Sequence, residues 1–172
     1  MKFIKVFLLC CLSPLIFLTV SCSGDTLGDS SVDLVPDTDS DVIENMIKVE
    51  VNREVFEPDR LVVNTESSII NIVGTQTSSN RSVFLTFKVS GTGVLKLGSA
   101  RNNPDGNVAG FLINAENRGF LTNALEGEWG EIRITKYDPV GKKISGEFHF
   151  TAYDIDYRPI VLENGSFTDV SF

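Results

Sequence analysis

The chain has 172 residues, a formal net charge of −8 and a single histidine. Residues 23–47 carry seven acids and no base, whereas from Lys48 onward thirteen bases face sixteen acids, so the acidity belongs to the N-terminal stretch. A domain this close to neutral lacks the basic surface that tracks phosphates, which argues against nucleic acid as a partner. The cysteines, Cys10, Cys11 and Cys22, all precede it, which leaves it no disulfide framework and no cysteine-built metal site.

Met1 to Lys5 followed by VFLLCCLSPLIFLTV is a positive n-region and an apolar h-region. The apolar run is about 15 residues, short of the roughly 20 that span a bilayer, and Pro14 interrupts it. It ends in Leu18-Thr19-Val20-Ser21-Cys22, which resembles a bacterial lipobox, with Thr19 where leucine is commonest. That resemblance implies a lipoprotein signal peptide over 1–21 and acylation of Cys22, with attachment to the membrane through more than one acyl chain.

Residues 22–46 read as the lipidated cysteine and an acidic flexible tether. The tether is rich in Ser, Asp, Gly and Thr, carries charge of one sign, and has the composition of a disordered linker. As a coil it would span roughly 25–30 Å. An acidic stretch after a lipidated cysteine is similar to the signals that send some Bacteroidota lipoproteins to the cell surface. It reads equally well as a solvated spacer. Asp25-Thr26-Leu27 fits the short O-glycosylation motif of the same bacteria.

A β-domain is expected over 47–172. Ile47, Val49 and Val51 alternate with polar residues, and Asn52-Arg53 turns the chain toward Val55-Phe56. Leu61-Val62-Val63 is a short strand, and Ser68 to Gly74 is apolar on both faces, as a central strand would be. Between Ser82 and Ser90, Val83, Leu85, Phe87 and Val89 form an apolar side, with Phe84 the exception on the other. Val94 to Leu97, Val108 to Ala115 and Gly119 to Asn123 follow as strands around the long loop Gly98–Gly110. A short helix between Asn114 and Leu125 is the alternative there.

Gly130 to Tyr153 is the most strongly patterned stretch: two arms of period two around Asp138-Pro139-Val140-Gly141-Lys142. Proline presets the turn and Gly141 is expected to take the positive dihedral. Asn164-Gly165 is expected to turn the chain into a terminal strand, Ser166 to Phe172. About ten short strands with closely spaced turn signals predict an all-β fold, an antiparallel β-sandwich or a partly open β-barrel, preceded by a disordered tether.

Gly130-x-Ile132-x-Ile134-Thr135, Tyr137-Asp138, Ile144-Ser145-Gly146-x-Phe148-x-Phe150-Thr151-Ala152 and Asn164-Gly165-Ser166-Phe167 carry a resemblance. So does the opening Val49-x-Val51-Asn52-x-x-x-Phe56. Over residues 47–172 the chain resembles a family of small Bacteroidota lipoproteins whose C-terminal β-domain has no known function. That family usually has glycine where this chain has Arg53. The resemblance implies an outer-membrane address, with the cell surface favoured over the periplasmic face, and implies no activity.

Chemistry-bearing patterns are sparse. His149 lies on the polar side of a strand without a nucleophile or orienting group in its motif, which reads as a surface histidine. Asn102, Asn103, Asp105 and Asn107 surround Gly106 with oxygen donors, but too few carboxylates for a calcium loop. Trp129, Phe120, Tyr153 and Tyr157 are candidates for an aromatic binding platform, and Phe84 for a contact with a partner. Asp154 and Asp156 are the candidate acid and base of a hydrolase, although glycosidases place such a pair across a cleft.

The reading that follows is a lipid-anchored, outer-membrane-associated, non-enzymatic binding or accessory protein. It would engage an outer-membrane protein complex or a surface ligand, without cofactor or metal. The alternative is a glycan-binding module built around Trp129.

Overall fold

A computed structural model describes residues 46–172 of the chain. The expected signal peptide, Cys22 and the tether up to residue 45 lie outside the described residues. Period-two alternation governs the rest. The strands are β1 (Met46–Val51), β2 (Glu54–Phe56), β3 (Arg60–Glu66), β4 (Ile69–Gln76), β5 (Arg81–Lys88), β6 (Gly93–Gly98), β7 (Val108–Ile113), β8 (Arg118–Leu121), β9 (Glu128–Asp138), β10 (Lys143–Tyr153) and β11 (Pro159–Ser171).

All pairings are antiparallel, and they build two layers. One runs β2-β1-β11-β10-β9-β6 and the other β8-β7-β5-β4-β3. A single pair, Tyr153 opposite Leu121, joins β10 to β8 and makes one folded-over sheet of the two. The strands β2, β3 and β6 each pair on one side only, so the sheet does not close into a barrel. Of the two expected architectures the sandwich is the one that forms.

The layers meet through the apolar side of each strand. Val83, Leu85 and Phe87 of β5 point inward, as do Ile144, Phe148, Phe150 and Ala152 of β10. The rings of Phe56 and Phe111 touch edge-on across the interior at 5.3 Å, and those of Phe87 and Phe167 lie 6.2 Å apart. Each fully buried side chain of this kind contributes about 1.5–3 kcal/mol, and no cysteine crosslink assists among the described residues.

Three local expectations differ. The region after β7 forms a single 3-10 turn, Asn114–Glu116, in place of the short helix. At the β9–β10 turn the left-handed residue is Lys142, with φ 55°, and not Gly141. The Asp138 carboxylate accepts the N–H of Val140 at 3.0 Å and of Gly141 at 2.8 Å, and a Cβ at Gly141 would collide with it. Glycine is needed there for room. Finally, Asn164-Gly165 does not turn the chain: β11 runs straight through it, and Asn164, at φ 52°, forms a bulge where the register against β10 shifts.

Candidate functional site: an apolar row on the outer face

The interior accounts for one side of every strand in the shorter layer, so a site must come from the other side. Residues directly opposite in an antiparallel pair share a face. Successive pairings therefore draw one row across the outer surface: Val62 opposite Val73, Val73 opposite Phe84, Phe84 opposite Gly110, Gly110 opposite Leu121, and Leu121 opposite Tyr153. At about 4.8 Å per strand the row is roughly 24 Å long. Polar residues border it on both sides. Thr86 donates to Asn71 Oδ1 at 3.3 Å on one flank, and the Thr75 and Ser82 hydroxyls are 3.0 Å apart on the other.

Phe84 is thus at the centre of the row, half-buried on an outward face, as its position on the polar side of its strand suggested. It lies over Gly110, where an added Cβ would meet the ring at 2.6 Å. Only a residue without a side chain lets Phe84 lie flat across β7. Val62 and Leu121 are 37% and 38% exposed, which is enough for contact with a partner.

Around the corner the row meets Trp129. The indole stands edge-on to the Tyr153 ring, with centroids 4.8 Å apart, and its N–H donates to the Leu125 carbonyl at 3.1 Å. Both flanking constraints fix the ring against the protein; it is not splayed outward as a flat platform. Tyr157, 67% exposed with φ 62°, stands across an open groove of about 340 Å³ from Leu121 and Tyr153. Ile155, beside it, is 93% exposed.

Phe120 does not join this surface. It is 3% exposed on the inward side of β8, opposite Phe111, with the Arg118 guanidinium 4.8 Å from its ring. The aromatic platform expected from four residues therefore reduces to Trp129, Tyr153 and Tyr157, with Phe84 farther along the row. Parity along β8 was the signal that separates Phe120 from Leu121. Val62, Val73 and Leu121 went unnoticed in the sequence, although the apolar run on both faces of β4 already pointed to an outward Val73.

Asp154 sits under the groove and serves the chain reversal. Its Oδ2 takes a salt bridge from Arg118 Nη2 at 2.7 Å and a hydrogen bond from Nε at 2.9 Å. Its Oδ1 accepts the N–H groups of Asp156 at 3.0 Å and Arg158 at 2.8 Å. Burial alone would raise its pKa, but the Arg158 N–H, the Arg118 side chain and the Asp156 N–H together hold the carboxyl below its ordinary value. A carboxylate kept ionised and saturated in this way is a poor proton donor. Asp156 is exposed and points to Arg158 instead of to Asp154.

The Asn102–Asn107 loop is likewise committed to its own backbone. Asn103 and Asn107 are buried. Asn103 Oδ1 accepts the Asn107 N–H at 3.1 Å and its Nδ2 donates to the Asn107 carbonyl, while Asn107 Oδ1 accepts the Lys88 N–H at 2.9 Å. Among the described residues no group of three or more His, Cys, Asp or Glu side chains converges as a metal site. His149 lies exposed opposite Glu131 on the other layer.

A family described as a domain of unknown function (DUF6252) matches residues 44–171, about three-quarters of the chain. The chain belongs to that family. The match begins just before β1 and ends at the last residue of β11, so the DUF6252 domain and the two-layer sandwich are the same object. Neither a curated protein nor a solved structure matches the chain.

Proposed function

We propose that this DUF6252 protein is a lipid-anchored, outer-membrane-associated, non-enzymatic accessory protein that docks onto a membrane protein complex through its outer apolar row. The observation that carries the reading is the row itself. Val62, Val73, Phe84, Leu121 and Tyr153 stand side by side on a face with no further layer over it among the described residues. A contiguous apolar strip with a polar border is the make-up of a protein contact. The anchor comes from the sequence, in the lipobox-like stretch that ends at Cys22, and the acidic tether would give the domain reach from the membrane. The Bacteroidota assignment and the cell-surface leaflet rest on the same resemblance.

A glycan ligand is the second reading, and Tyr153 and Tyr157 on either side of the groove favour it. Glycan platforms present rings flat, whereas Trp129 is edge-on and tied to Leu125, so the protein contact is the better-supported of the two.

Affinity purification of the tagged full chain from detergent-solubilised membranes tests the proposal. The expected result is a stoichiometric membrane-protein partner, together with loss of membrane fractionation and palmitate labelling in Cys22→Ala. Recovery of the lone polypeptide would contradict the docking claim, and unchanged labelling in Cys22→Ala would contradict the anchor.

A further inference from the structure

The strand β3 ends the shorter layer with an open edge. Its seven residues Arg60–Glu66 pair with β4 in unbroken register, without bulge or proline. A two-residue turn, Ser67-Ser68, joins the two strands, so Glu66 and Ile69 are the hydrogen-bonded pair that closes the hairpin. By alternation, Arg60, Val62, Asn64 and Glu66 spend their backbone groups on β4. Leu61, Val63 and Thr65 turn theirs to the open edge. Proteins ordinarily protect such an edge with a bulge, a proline or an inward-pointing charge, and β3 has none of these.

Its charges have another arrangement. Arg60 and Glu66 stand at the two ends of the strand, both outward and exposed, and neither has an ion-pair partner among the described residues. The strand is a charge palindrome about Val63. If a second β3 pairs antiparallel around a two-fold axis through Val63, residue numbers of opposite partners sum to 126. Arg60 then faces Glu66 of the other copy, and Glu66 faces its Arg60, on the same side of the joined sheet. Val63 faces its own copy, and the outward amides of Leu61, Val63 and Thr65 fall on hydrogen-bonding positions. The edge strand β6 offers no such match: an axis through Lys96 would oppose two lysines, and one through Leu95 would set Lys96 against Val94.

We propose that the open edge of β3 is a self-association site, where a second copy of this chain adds β3 to β3 and extends the shorter layer across a two-fold axis. The extension leaves the Phe84 row facing outward on both copies. It requires no ligand beyond the chain itself.

Sedimentation equilibrium of the full chain in density-matched detergent, over a concentration series, is the test. Wild type is expected to be a monomer–dimer equilibrium. Arg60→Glu and Glu66→Arg should each weaken dimerisation roughly tenfold, since both copies then oppose like charges. The double variant Arg60→Glu/Glu66→Arg should recover it, and so should a mixture of the two single variants. Both substitutions are on exposed positions, and circular dichroism checks that each variant is folded. Mixing Val62→Cys with Asn64→Cys chains should give an interchain disulfide under oxidation, because those positions face each other across a non-hydrogen-bonded pair. A monomer at every concentration overturns the proposal. So does a dimer indifferent to single charge reversal, which would place association elsewhere in the chain.

Discussion

Asn52 and Arg53 turn β1 into β2 with φ of 50° and 72°, a two-residue hairpin in which both central residues are left-handed. Asparagine tolerates that region and arginine does not. Replacing Arg53 with glycine, the residue usual in the resembling family, should raise stability by about 0.5–1 kcal/mol, the relief of strain exceeding glycine's entropy cost. Thermal denaturation should show an increase of a few degrees; a decrease would mean that Arg53 makes a contact worth more than its strain. A second residue-scale consequence concerns acid. The carboxyls of Asp154 and Asp169 lie below their ordinary 3.8: Asp154 by the balance of hydrogen bonds over burial, and Asp169 chiefly through Lys136, 2.6 Å away. The unfolded chain therefore takes up protons more readily than the folded one. The stability these groups contribute is complete above about pH 4 and is lost as pH falls through their folded values. The melting temperature should stay level from neutrality to about pH 5 and fall below pH 4, and Asp154→Asn should lower it by several degrees at neutral pH while flattening part of the acid decline. An unchanged acid profile in that variant would remove Asp154 from the account.

Among the elements, strand alternation was legible wherever one face is buried. The pattern of β5, with Val83, Leu85, Phe87 and Val89 inward, reads directly from residues 82–90, as do both arms of the β9–β10 hairpin. What the sequence hides is whether a left-handed residue ends a strand or bends it. Asn52 makes a turn and Asn164 a bulge, although both hold φ near 50°. The difference lies in the partner strand, since β10 continues past Asn164 and keeps β11 paired, whereas β1 has no further partner to follow. Gly141 is a similar case: glycine stands there because of the Asp138 side chain, a contact that no dihedral rule contains. The aromatic candidates divide on parity. Phe120 and Leu121 are neighbours in sequence, yet the first is core and the second lies on the surface row.

For the whole molecule, the fold class was legible because eleven short antiparallel strands leave a repeated signal, while the site was not, because a row across five strands has no local motif. Val62, Val73, Phe84 and Leu121 become neighbours only through register. The β9–β10 hairpin, the best-patterned stretch of the chain, proves to be scaffold, and the surface with unassigned apolar area is on the other layer. The most direct measurement of the central claim is quantitative recovery of the membrane partner by the full chain carrying Val73→Thr/Leu121→Thr, compared with wild type at matched expression and melting temperature. Threonine keeps the strand propensity and removes the apolar contact. Loss of most of the partner with the fold intact is the expected result; full recovery by the variant would contradict a docking surface on this face.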